Sequence, residues 1–422
     1  MTKRKIRFFQ KQTVIYVITV LLSILYVVVG NQIASRDLTT AAGADTRDPL
    51  KAKVINILSR NDRAENGSDN GVIIITFEAT VLSGERKGQT VTAIQQIDSV
   101  YPAKLKEVEK NDRILLYEDT TSEIHGWIMG EYVRFDPLLI LGLLFGVGLL
   151  IFGRLKGVNT IVSLAFTFLS VFVVFIPAVM SGQNIYFWSI LTCIFITVMT
   201  LLIVNGANRK SLAAGIGCFS GVAVAGLITL IMDGIIHLTG WLDESSMNLY
   251  VLNPEHPIDL KAIIFAGIII GAIGAIMDVA MSLSSSLQEL KIKLPTASWK
   301  TLFRSGITIG RDIMGTMANT LVLAYIGSSL SMTLLIVAYT GSMTALLNRE
   351  AIIVEILNAL AGSIGILLTI PLTSMVCALL YAGRKETPTP SEEETPPPEK
   401  ATPQKAFFVE DAWEDSEHFD GI

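Results

Sequence analysis

The chain alternates between two hydrophobic rhythms. Near-continuous apolar runs cover residues 13–30, 137–153, 158–180, 184–205, 211–236, 262–287, 312–339 and 351–382, each comparable to the ~20 residues a helix needs to cross a bilayer. Between the first two runs, residues 31–136 change period. VIIITFEATV at 72–81 alternates, the turn-like SGERKGQ follows, and VTAIQQI and RILLYED continue in the same manner. Alternation bounded by glycine turns predicts strands. The pattern therefore predicts an all-α polytopic membrane bundle of about eight transmembrane helices, with a small extracytoplasmic β domain, a barrel of five or so strands, after the first span. Within the 312–339 run, the short apolar block 328–340 reads equally as a separate or re-entrant segment, and counting it as a span would move the C-terminus to the other side.

Composition places the chain in the same class. Of 422 residues, 51% are hydrophobic and 17% charged, too apolar for a soluble enzyme of this size. Residues 1–12 carry Lys3, Arg4, Lys5, Arg7 and Lys11 and no acid. They predict an uncleaved membrane anchor over residues 1–30 with a cytoplasmic N-terminus, because the Ala-x-Ala at Ala42 to Ala44 lies too far from the apolar core for cleavage. Arg154 and Lys156, then Arg209 and Lys210, then Lys291, Lys293, Lys300, Arg304 and Arg311, then Arg384 and Lys385 occupy alternate connections. The positive-inside rule makes those connections cytoplasmic. The expected order is an anchor (1–30), an extracytoplasmic β domain (31–136), a seven-helix transmembrane bundle (137–383) and a cytoplasmic tail (384–422) at the cell membrane. From Arg384 onward the tail carries 4 basic and 11 acidic residues and 6 of the 14 prolines, a composition that predicts disorder. The net charge of -5 belongs to that tail, so no basic surface points to nucleic acid. Cys193, Cys218 and Cys377 all fall within predicted spans and form no CxxC pair.

Polar residues inside the apolar runs fall on helical faces. Asp278, Ser282, Ser285 and Glu289 step by four, three and four, opposite Ile276, Val279, Leu283 and Leu287. In the next run Asp312, Thr316, Asn319 and Thr320 also share a face. An ionised aspartate at mid-span costs about 2.5–3.5 kcal/mol on insertion scales, so it is expected to face protein or water. Two carboxylates brought together would share a proton or a cation. The alternative is structural: Asp278 and Asp312 near the interface, tied off by Arg311, Lys291 or Lys293. A third cluster, Glu355, Asn358 and Gly362, enters the last span, which Pro371 is expected to kink. Asp233 and His237 sit one turn apart at a helix end, a placement that suits capping or solvent better than a metal. Glycine stripes at Gly267, Gly271 and Gly274, at Gly142 and Gly146, and at Gly215, Gly221 and Gly226 would let helices approach closely.

The runs GAIMDVAMSLSSSLQEL, GRDIMGTMANTLVLAYIGSS and NRE…EILNALAGSIGILLTIPLTS resemble the signature segments of the YibE/F family of bacterial multispan membrane proteins. The resemblance extends from Ala52 to Leu380 and leaves out the acidic tail. It implies a membrane-embedded protein that pairs with a second YibE/F family protein or forms a homo-oligomer, and it supplies no catalytic residues. With the ladders it gives the functional expectation: a permease-like transporter of an unknown small solute or ion. Asp278 and Asp312 would be proton or cation sites, Ser282, Thr316, Asn319 and Thr320 the polar lining, and Glu355 and Asn358 the extracytoplasmic half. A non-transporting envelope scaffold that recruits partners through the β domain and tail is the competing expectation. No enzyme, cofactor or metal site is expected, since GxGD, HExxH, GxSxG and P-loop signatures are all missing from the sequence.

Overall fold

A computed structural model describes residues 3–36, 48–64, 71–98, 106–119, 126–252 and 257–382, and the side chains of most of these. The acidic tail, the Ala42–Ala44 site, His125 and the Asn-Gly at 66–67 lie outside the described residues.

The β segment closes into a five-stranded barrel. Strands β1 (Leu50–Ala64), β2 (Gly71–Val81), β3 (Thr90–Asp98), β4 (Arg113–Asp119) and β5 (Gly126–Tyr132) run in the order β1-β2-β3-β5-β4. All neighbours are antiparallel except β3 and β5, which pair in parallel through Ala93–Trp127 and Ile94–Ile128. This is the Greek-key connectivity of an OB-type barrel. Alternation supplies the core: Ala52, Val54, Ile75, Phe77, Ala79, Ile114 and Leu116 point inward and are almost fully buried. The 15-residue β1 bends around two neighbours through irregularities at Val54–Asn56 and Ile57–Ser59. Gly84 and Gly88, at φ +76° and +86°, turn the chain between β2 and β3. Buried Gln95 holds the segment before β4, with Nε2 donating to Lys106 O (3.0 Å) and Oε1 accepting from Val108 N (2.8 Å).

Eleven helices occur among the described residues: α1 (Lys3–Ala34), α2 (Phe135–Gly153), α3 (Leu155–Met180), α4 (Ile185–Asn205), α5 (Arg209–Ile236), α6 (Glu244–Val251), α7 (Leu260–Lys293), α8 (Trp299–Ser328), α9 (Leu330–Tyr339), α10 (Met343–Leu347) and α11 (Glu350–Ala382). Both α3 and α4 contain a π-helical stretch, at Ser170–Phe175 and Leu201–Asn205. Seven helices are long and apolar enough to cross a membrane, and the bent pair α8 and α9 makes an eighth if counted as one span.

That pair departs from the expected run over 312–339 in where it starts, while its break agrees with the reading of 328–340 as a separate or re-entrant segment. The helix begins 13 residues earlier, at Trp299, and breaks at Ser329 into α9 at an angle of 63°. The early start comes from packing: Leu302, Gly306 and Gly310 are buried, and a Cβ at Gly306 or Gly310 would overlap Ser374 or Ile370 of α11. Apolar run length does not register such a contact.

Contacts at the helix ends fix the order of crossings. At one end Gln12 of α1 lies beside Gly206, Arg209 Nη1 donates to Leu380 O (3.4 Å), and Ser284 Oγ bonds Lys210 O (2.9 Å) and Tyr381 Oη (2.8 Å). At the other, Gln183 Nε2 donates to Ile33 O (2.8 Å), Lys261 pairs with Asp233 (3.2 Å), and Glu350 accepts from Thr239 and Gly240. The start of α1 and the end of α11 therefore share one end of the bundle. Since α7 finishes at that end and α11 begins at the other, α8 to α10 carry the chain across.

The core of the bundle is α11 with α5, α7 and α8 around it. Ile276, Val279, Leu283 and Leu287, the apolar side of the first polar ladder, are all fully buried there. Glycine sets the spacing: a Cβ at Gly217 would overlap Thr373 Oγ1, and one at Gly221 would overlap Thr369 Oγ1. By contrast, Gly142, Gly267 and Gly274 have open space where a Cβ would stand, so of the Gly267–Gly271–Gly274 stripe only Gly271, against Tyr325, meets another helix closely within the described chain. Helix α2 buries none of its residues and leans on α3.

Candidate functional site

The first ladder lies on an open flank of α7. Asp278, Ser282 and Glu289 are exposed and Ser285 is half-buried, and Gly267, Gly271 and Gly274 extend the same face toward the other end. Asp312, Thr316, Asn319 and Thr320 are likewise exposed on α8. Two of those hydroxyls are satisfied by their own helix, with Thr316 Oγ1 donating to Ile313 O (2.9 Å) and Thr320 Oγ1 to Met317 O (2.8 Å). Among the described residues no hydrogen bond or ion pair is formed by the side chains of Asp278, Ser282, Asp312 or Asn319.

The two helices are antiparallel, and their contacts fix the register. A Cβ at Gly306 meets Leu287, a Cβ at Gly362 meets both Leu321 and Ala272, and Tyr325 Oη lies against Gly271. Asp278 is consequently level with Thr316, and Ser282 level with Asp312. The two carboxylates differ in depth by about one helical turn, ~5 Å along the axis. They do not bond each other, and this chain alone does not enclose them. Nor are they tied off by bases. Lys291 is buried and donates to Pro295 O (2.8 Å) and Ala297 O (3.1 Å), while Arg311 and Lys293 make no ion pair among the described residues.

The third cluster gathers where α8 breaks. Glu355 and Asn358 of α11 are half-buried and lie beside Ser329 and Tyr325. Glu355 Oε2, Asn358 Oδ1 and Tyr325 Oη are shielded from solvent, yet none makes a hydrogen bond to the protein. Ser329 Oγ donates to Tyr325 O (3.0 Å), closing the last turn of α8. Tyr325 and Ser329 were not singled out by ladder spacing. A tyrosine in mid-run followed by Gly-Ser-Ser was the available signal, because it marks both a polar tip and a helix stop.

At the same end, Glu350 Oε1 accepts from Thr239 N and Gly240 N (both 2.6 Å) and Oε2 accepts from Thr239 Oγ1 (2.7 Å), clamping the α5–α6 turn. His237 ends α5 in the left-handed region at φ 57°, and Asp233 pairs with Lys261. Both serve a helix end. No group of three or more His, Cys, Asp or Glu that could hold a metal ion exists among the described residues.

The barrel is mounted on α2 with little slack. Two residues, Val133 and Arg134, separate β5 from α2, and Asp136 in the first turn accepts from Lys51 of β1 (3.2 Å) and Arg113 of β4 (3.3 Å). Elsewhere on the barrel, hydrogen bonding to Arg60 holds the Glu107 carboxyl below the usual carboxylate range, and Asp112 raises the Lys106 ammonium.

No curated protein and no solved structure matches the chain. A family model described as YibE/F-like protein matches residues 141–383, from within α2 to the end of α11. The barrel and the stretch from Ala52 to residue 140, where the sequence resemblance was expected to begin, fall outside that match. The matched segment is more than half of the chain and holds both aspartate ladders and the Glu355 cluster, and this chain, with seven helices long and apolar enough to cross a membrane, belongs to the YibE/F-like protein family.

Proposed function

We propose that the chain is one half of a permease-like carrier for a small solute or ion, with Asp278 and Asp312 as its proton or cation sites. The observation that carries this reading is the unneutralised polar flank of α7 and α8. In this reading the face of α8 that carries Asp312 and Thr316 is turned toward α7. Both ladders then border one groove, with Ser282, Asn319 and Thr320 completing its lining and Glu355, Asn358 and Tyr325 standing near its other end. Carboxylates left against hydrocarbon are unfavourable by several kcal/mol. A second copy of the chain, or a second family member, closes the groove and gives it a wet interior. The basic connections at the Arg209 end favour a cytoplasmic location for that end, which puts both termini inside the cell membrane and the barrel outside.

The test is proton or cation flux in proteoliposomes for Asp278→Asn and Asp312→Asn, each checked for monodispersity. Loss of flux in either variant supports the assignment, and unchanged flux in both removes their role. The rigid mount of the barrel through Asp136 favours a second reading, a non-transporting envelope scaffold whose barrel presents partners at a fixed distance from the membrane. In that case flux is absent from the wild-type protein, and a crosslinked partner is lost on deleting residues 50–132.

A further inference from the structure

Away from the aspartate flank, the seam between α4 and α5 holds two cavities end to end. The first, about 400 Å³, is walled by Val198, Leu202, Leu212 and Ile216, with Asn208 and Arg209 at its mouth. The second, about 500 Å³, continues along α5 past Leu227 to Leu230 and is lined almost wholly by apolar side chains. Phe219 belongs to both and marks the point where they meet. From Arg209 to Phe219 is ten residues of helix, ~15 Å, or half of the ~30 Å hydrocarbon thickness. The first cavity thus has the depth of one leaflet.

Its mouth is cationic. Arg209 has one long hydrogen bond, from Nη1 to Leu380 O at 3.4 Å, which leaves most of its donors free. Lys210 lies within electrostatic reach of Lys156, a like charge. No acid pairs with Lys156, Arg209 or Lys210 among the described residues. An apolar trough one leaflet deep, with unneutralised Arg209 on its lining, Lys210 next to it in the chain and Lys156 within electrostatic reach of Lys210, matches an amphiphile with an anionic head and a hydrocarbon tail. We propose that the α4–α5 seam binds one anionic glycerophospholipid, its phosphate held by Arg209 with Lys210 and Lys156, and one acyl chain laid in the first cavity as far as Phe219.

The experiment uses the full chain in neutral detergent, titrated with phosphatidylglycerol or phosphatidylethanolamine of identical acyl chains and read by native mass spectrometry. The wild-type protein is expected to retain phosphatidylglycerol about tenfold more strongly or better. Arg209→Gln with Lys210→Gln should abolish the preference, and Arg209→Lys should keep most of it. Ile216→Trp, which fills the trough at a position exposed to lipid, should lower retention while leaving the cations in place. Equal retention of the two lipids, a preference that survives Arg209→Gln with Lys210→Gln, or an Ile216→Trp variant that binds as well as wild type would each overturn the proposal. So would full competition by inorganic phosphate, since the site would then read the headgroup alone. None of these readouts depends on flux, so the lipid site and the carrier reading stand or fall separately.

Discussion

Replacing Gly221 with alanine tests whether α5 and α11 touch through glycine backbone or merely pass one another. A Cβ at that position would overlap Thr369 Oγ1 and stand 2.9 Å from Ile276 Cγ2 and 3.2 Å from Gly365 O. None of these neighbours gives way easily. Thr369 is fully buried and its hydroxyl donates to Gly365 O at 2.7 Å, so rotating it strands a buried donor. Ile276 is also fully buried, and Gly365 O belongs to the α11 backbone. Overpacking of this kind costs about 1–3 kcal/mol, while the better helix propensity of alanine offsets up to ~1 kcal/mol. A net loss of roughly 1–2 kcal/mol remains, a fall of a few degrees in melting midpoint. Gly274→Ala is the matched control, because nothing lies within 4 Å of its added methyl. Unfolding is read in detergent with a thiol-reactive fluorophore, since Cys193, Cys218 and Cys377 are free and buried in the fold. Adding Thr369→Ala, which removes the overlapping hydroxyl, should recover part of the loss. A Gly221→Ala protein that melts with or above wild type, while Gly274→Ala melts below it, would refute the packing argument.

Glu350→Gln removes the charge from three hydrogen bonds that hold the α5–α6 turn, at a cost of about 1.5–3 kcal/mol if the amide cannot satisfy both backbone donors; faster amide exchange at Thr239 and Gly240 is the readout, and unchanged exchange would show that the clamp is dispensable. On the barrel, the Glu107 carboxyl is depressed by Arg60, so its contribution is present above the ordinary carboxylate range and disappears as pH falls through the depressed value. Protection of the amides of residues 106–112 in the full chain, taken as observed exchange against the intrinsic rate at each pH, should therefore fall on acidification, and Glu107→Gln should show the lower protection already at neutral pH.

Much of the fold was legible in the sequence because it depends on local period. Alternation in VIIITFEATV marks β2, and its inward residues Ile75, Phe77 and Ala79 are the ones buried in the barrel. The apolar runs located the long helices, with ends that differ most at the start of α1, the end of α7 and the start of α8. In α8 the first half of the helix is held by glycine contacts with α11 that no window of hydropathy detects. The same division applies to the candidate site. Helical spacing assigned Asp278 with Ser282, and Asp312 with Thr316, to common faces and Ile276, Val279, Leu283 and Leu287 to the opposite one; that the apolar face is the buried one comes from the packing. Spacing could not find Tyr325 beside Glu355, because that neighbour crosses from α8 to α11 at a break.

The sequence by itself determined the class of the molecule, the place of the barrel before the bundle and the grouping of polar residues into faces, since each follows from the side-chain order along one element. Only the tertiary structure decided which faces are covered. Gly217 and Gly221 are filled by threonines of α11, whereas Gly267, Gly274 and Asp278 look outward. The reason is physical: coverage depends on how neighbouring helices are packed and registered around α11, and those relations join residues far apart in the chain.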